Sequence, residues 1–144
     1  MSKAISVKVN VRIDGNEIIR RWSDLLKDEQ TMLMVHQALE RYCYPYVPMQ
    51  EGNLFQQVEI TSKSVKYTQP YAHYQYTGEL YLAANGSSWA KKDEKKYPSG
   101  LPLVYSKEKH PKATKEWDKA MMAEDGPKFT QEISDILVRR MHDI

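Results

Sequence analysis

The sequence predicts an α+β domain: a small, mainly antiparallel sheet packed against a long N-terminal helix and a C-terminal helix. Three observations predict it. Residues 5–13 read ISVKVNVRI, in which Ile5, Val7, Val9, Val11 and Ile13 alternate with polar residues; period two is the pattern of a strand with one buried face. Residues 24–43 place Leu25, Leu26, Met32, Leu33, Val35, His36, Leu39, Tyr42 and Cys43 at helical spacing. Residues beyond His110-Pro111 repeat that spacing with Trp117, Ala120 and Met121, then Phe129, Ile133, Ile136, Leu137 and Met141. The same pattern also fits a small antiparallel barrel with helices attached.

Each element has a local justification. Asp14-Gly15-Asn16 ends the first strand as a turn. Ser23 or Asp24 supplies the short side-chain acceptor that caps a helix N-terminus. A helix over 24–43 extends roughly 30 Å, and its apolar stripe must cover one face of the sheet. Pro45 stops it, and YPYVPMQEGN over residues 44–53 forms a stiff loop. Residues 54–60 read either as a strand or as a short helix leading into one. Val58, Ile60, Val65 and Tyr67 predict strands on both sides of the polar turn TSKS. Pro70 breaks the chain, and Ala72 to Tyr81 reads as strand with a bend or bulge at Gly78. Leu101 to Ser106 reads as a short strand. Thr114 is the expected cap of the C-terminal helix, which Gly126-Pro127 is expected to interrupt.

The 144 residues amount to one domain, 1–144. Their 21 basic and 19 acidic residues leave a net charge of +2, which is no nucleic-acid signature by itself. A single cysteine, Cys43, rules out an intrachain disulfide and suits a reducing compartment. No stretch approaches the ~20 apolar residues that span a bilayer, so no membrane partner is expected. The N-terminus carries no apolar core of the signal-peptide kind, which predicts synthesis and folding in the cytosol.

Nothing in the sequence calls for catalysis. His36, His73, His110 and His142 are far apart and outside any metal-ligand spacing. Ser87 and Ser88 lack a nucleophile-elbow setting, and Gly52 and Gly78 are solitary rather than part of a phosphate loop. Asp93 and Glu94 lie among lysines that balance them. No catalytic residue, cofactor or metal is therefore expected.

Two segments point instead to contact with other molecules. Residues 67–81, YTQPYAHYQYTGELY, carry five of the ten tyrosines. Tyrosine combines a large apolar ring with one polar contact and is enriched at interfaces. Alternation along a strand puts Tyr74 and Tyr76 on one face, with Tyr71 nearby; that face serves a core as well as a contact surface. Residues 85–100, NGSSWAKKDEKKYPSG, form a long polar loop or hairpin. Within it Trp89 and Tyr97 flank Lys91, Lys92, Lys95 and Lys96, which predicts a protruding loop that touches an adjacent subunit. The alternative is a nucleic-acid-binding module that uses residues 89–97 for stacking and phosphate contact.

The ordered set of segments resembles a known family. YVPMQEGNL (46–54) resembles a proline, acid, glycine and leucine element that follows the first helix in small neck and tail-completion proteins of tailed phages. PYAHYQYTGELYL (70–82), GSSWA (86–90), LVYS (103–106) and HPKATKEW (110–117) follow in order. Together, over residues 20–140, they look like the minor capsid protein family of siphophages from Gram-positive hosts. Gln50-Glu51 stands where related families have an aspartate-threonine pair, so no shared contact is carried over there. The resemblance implies a non-enzymatic virion protein of the head–tail junction, either tail-completion or neck. It implies a ring homo-oligomer bound to adjacent connector or tail proteins, with DNA passing through the lumen without specific recognition.

Overall fold

A computed structural model describes residues 4–9, 17–48, 58–69, 72–86 and 95–143. The fold is α+β, with two small antiparallel sheets and a long C-terminal helix. The first sheet has three strands, β1 (Ile5–Val7), β2 (Val58–Ile60) and β3 (Val65–Tyr67), in the order β1-β3-β2. Ile5 and Val58 both lie opposite Tyr67, and Val7 and Ile60 both lie opposite Val65. This apolar row faces the core, while Ser6, Lys66 and Glu59 make the polar row behind it. Alternation predicted the inward positions of β1; residues 10–13 of the expected strand lie outside the described residues.

The expected helix over 24–43 is two helices, α1 (Glu17–Leu25) and α2 (Glu29–Cys43). Ser23 and Asp24 lie inside α1, so neither is the cap. Asp28 caps α2 instead. Its backbone is extended, and Oδ2 accepts the Thr31 N–H at 2.9 Å and the Thr31 hydroxyl at 2.8 Å. A carboxylate beside the free N–H groups of a first turn is a stronger start signal than an apolar stripe is a continuation signal. Arg140 then reaches the same corner, donating to Asp28 and to the Thr31 hydroxyl at 3.1 Å each. At the other end α2 passes into a 3-10 turn, Tyr44–Tyr46, at Pro45.

The tyrosine-rich segment is a short helix, α3 (Ala72–Thr77), rather than the expected strand. Tyr74 and Tyr76 therefore do not share a strand face. Strand begins only at β4 (Glu79–Ala83), which pairs antiparallel with β5 (Lys96–Pro102). The last five residues of the predicted polar loop, 96–100, are thus the start of β5. The strands form a three-stranded and a two-stranded sheet instead of the single sheet expected.

The last helix, α4 (Trp117–Asp143), runs through Gly126 and Pro127 without interruption. Trp117 and Met121 before the proline and Phe129, Ile133, Ile136 and Leu137 after it are all buried. A proline inside a helix costs about 3 kcal/mol. Six large buried side chains at about 1.5–3 kcal/mol each outweigh it. Thr114 is not the cap; its N–H donates to the Tyr46 carbonyl at 3.1 Å, and α4 starts three residues later. α2 packs on β2 and β3 with one side and on α4 with another, while α1 rests on α4. The core lies between these layers.

Candidate assembly interface

β4 and β5 form a two-stranded arm that starts from α3. The register is Tyr81 opposite Pro98, Leu82 opposite Tyr97 and Ala83 opposite Lys96, with a shift between Glu79 and Tyr81. Ser99 fills that irregularity: its hydroxyl donates to the Leu80 carbonyl and accepts the Leu101 N–H at 3.1 Å. Pro98 and Pro102 cannot donate to a ladder, which restricts β5 to an edge.

The root of the arm is tightly held. Gly78 joins α3 to β4 with φ +75°, its N–H on the Tyr74 carbonyl and its carbonyl accepting the Leu103 N–H, both at 2.9 Å. A Cβ at Gly78 would stand 2.9 Å from Lys115 Cβ and 3.2 Å from the Tyr105 hydroxyl. Tyr105 donates to the Gln75 carbonyl at 2.6 Å, and burial pushes its hydroxyl up to about 12. The Glu116 N–H donates to the Tyr76 carbonyl at 2.9 Å, and Glu116 itself has φ +46°. Tyr76 donates to Asp118 Oδ1 at 2.7 Å and stands edge-on to Trp117, 4.9 Å between centroids. Tyr67 meets Trp117 in the same way at 5.1 Å.

Beyond this root β5 is the open strand, whereas each residue of β4 is half-buried or buried. Tyr97 is 50% exposed, Leu101 54% and Val104 95%. Among the described residues, the other exposed large apolar side chains are Met122 and Val138, both on α4. Lys95 just before β5 is exposed, and Lys96 on it is half-buried.

The expected contact residues separate accordingly. Tyr97, Lys95 and Lys96 lie together on the arm. Tyr74 is half-buried on α3, its ring 4.6 Å from Tyr81 and 5.5 Å from His73. Tyr76 is engaged within the chain. Tyr71, Trp89, Lys91 and Lys92 lie outside the described residues. Sequence reasoning missed Leu101 and Val104 as contact candidates, although the two prolines of β5 were a readable sign of an edge strand.

The titratable groups elsewhere serve the fold. Cys43 is buried, and burial with Asp118 and Glu40 nearby raises its thiol far above the usual range, so it stays protonated. His110 is buried, with Nδ1 2.8 Å from the Val47 carbonyl oxygen and its ring edge-on to Tyr44. Among the described residues, no three His, Cys, Asp or Glu side chains are grouped to hold a metal ion. No described helix is long and apolar enough to cross a membrane. A shallow groove between α1 and α4 is lined by Arg21, Trp22, Val138, Met141 and His142.

A family profile described as "Minor capsid protein" matches residues 7–131, most of the chain. No curated protein and no solved structure matches it.

Proposed function

The chain belongs to the minor capsid protein family and is a structural component of the virion, and on that premise we propose that it forms a closed ring at the phage head–tail junction. The ring joins the DNA-filled head to the tail, as a neck or tail-completion part, and performs no catalysis. The observation that carries this reading is the β4–β5 arm with Tyr97 and Leu101 exposed on it, and Val104 exposed beside its root. A two-stranded hairpin is marginal by itself, and exposed apolar side chains on it favour a neighbour. Head-to-tail contact between copies, each arm on the next subunit, closes a ring when the rotation closes. Trp89, Lys91 and Lys92 lie between β4 and β5 in sequence and belong to the same proposed contact.

Such contacts need not be strong in the free protein. Copies held on a template meet at high effective concentration, so a free monomer and an assembled ring are compatible. The adjacent connector and tail proteins are the proposed template, and DNA passes through the lumen without specific recognition. The test is a reconstruction of the assembled particle, which shows this subunit in a ring with the arm across a subunit boundary. Its absence from the head–tail junction overturns the reading. Titration with duplex DNA at two salt concentrations addresses the alternative. Tight binding that weakens steeply with salt would favour a nucleic-acid module over a ring part.

A further inference from the structure

His36 is wholly buried on α2, where the helix covers the sheet. Its Nε2 accepts the Val9 N–H at 3.1 Å, and its Nδ1 lies 3.1 Å from the Thr61 carbonyl oxygen. An amide N–H only donates and a carbonyl only accepts, so the ring is neutral with its proton on Nδ1. One tautomer thus ties together three parts of the chain: the residues that follow β1, helix α2 and the β2–β3 turn. Neither the family nor the proposed ring accounts for this arrangement.

We propose that His36 is a proton-operated pin for the N-terminal segment, residues 4–9: protonation at Nε2 expels the Val9 amide and frees β1 from β3. The added proton would face an N–H that has only a proton to offer, on a ring that is itself wholly buried. Releasing residues 4–9 lets the charged ring hydrate and opens the Val65–Tyr67 edge. Burial already lowers the pKa of His36 from its usual 6.5, with hydrogen bonds to backbone opposing the shift. The released form therefore binds the proton more readily than the pinned form, and release is favoured as pH falls below that value.

The neighbouring charges do not rescue the pinned ion. Both ring nitrogens have backbone partners, so no carboxylate is bonded to the ring. On α2, Glu40 lies one turn along, but burial raises its own pKa, which weakens it as a counter-charge in acid. Lys8 after β1, Glu59 on β2 and Lys63 in the turn are exposed, and Lys66 on β3 belongs to the outer row. Arg41 is paired with Glu132 of α4, and Arg140 of α4 with Asp28.

Amide hydrogen exchange on the intact chain tests the pin. The Val9 protection factor is expected to fall on the order of tenfold per pH unit below about pH 6.5, while Leu39 and Leu137 keep theirs. His36→Gln offers the same acceptor and donor without a titrating group, and Val9 is then expected to be insensitive to pH. Constant Val9 protection in acid, a simultaneous loss at Leu39 and Leu137, or the same acid loss in a folded His36→Gln variant each overturns the proposal. Should that variant fail to fold, the ¹⁵N shifts of the His36 ring in the native chain decide. Protonation at Nε2 coincident with Val9 release is expected, and release while the ring stays neutral overturns the pin.

Discussion

Tyr46, Tyr76 and Tyr105 show how single side chains act in this protein. Tyr46 is buried and the other two are half-buried, and each directs its hydroxyl to an acceptor inside the chain: Asp125 at 2.7 Å, Asp118 at 2.7 Å and the Gln75 carbonyl. Burial, followed by the carboxylate each faces, raises Tyr46 and Tyr76 well above the usual phenol range, so both remain donors at neutral pH. Removing either hydroxyl leaves a carboxylate short of one bond. Tyr46→Phe and Tyr76→Phe are each expected to lower folding stability by about 1.5–3 kcal/mol, measured by denaturant unfolding. Gly78 is the second sensitive residue. Its positive φ costs an L side chain about 1–2 kcal/mol, and a Cβ there also meets Lys115. Gly78→Ala is expected to lower Tm by more than that backbone cost alone, with its largest loss of exchange protection at Leu103 and Gly78, the root of the arm.

At the scale of elements, the helices end where local chemistry permits and continue where packing demands. Asp28 divides what reads as one amphipathic helix, because its carboxylate satisfies the first turn of α2 and holds Arg140 at the same time. Pro127 fails to divide α4, because the buried stripe continues on both sides of it. The cost of the proline is outweighed by that burial but not removed, and it sits at an exposed position. Pro127→Ala restores one N–H to the ladder and loses no buried contact. It is expected to stabilise the chain by about 1–2 kcal/mol, after the entropy proline removes from the unfolded chain is subtracted. Thermal unfolding measures this, and an unchanged or lower Tm would mean the proline is needed for the path of α4.

For the whole molecule, the body and the arm have different tasks in the proposed ring. Sheet, α2 and α4 enclose the core, whereas β4 and β5 extend with Tyr97 and Leu101 half-exposed. Tyr97→Ala and Leu101→Asp touch no core residue, so each is expected to leave the isolated subunit within about 0.5 kcal/mol of its native stability. Truncating an interface aromatic costs about 2 kcal/mol or more of binding. Light scattering of the subunit with its neighbouring connector proteins should therefore show lost or weakened assembly in both variants. Native assembly by both variants would remove the arm from the interface. Trp89→Ala is the companion variant from the β4–β5 connection, with the same expected split between intact folding and impaired joining of heads to tails.

Several features needed only the sequence. The alternation of Ile5 and Val7, and of Val58, Ile60, Val65 and Tyr67, determines which face of the sheet is apolar, since side chains alternate whatever lies above them. The helical stripes of α2 and α4 are equally local, as is the stop at Pro45. The family was also legible, in the order of its short segments from Tyr46 to Trp117. What the sequence alone could not decide turned on partners far along the chain. Aromatic residues favour strands, yet Tyr74 and Tyr76 are helical, because the Tyr76 ring meets Trp117 and its hydroxyl meets Asp118, some forty residues away. Ser23, Asp24 and Thr114 all have the chemistry of caps, but Asp28 caps α2 in concert with Arg140, and Thr114 is drawn to Tyr46. His36 looked like one more residue on an apolar stripe. Only the folded chain brings Val9 and Thr61 to its two nitrogens, because a hydrogen bond across 25 or 27 residues leaves no mark in local spacing.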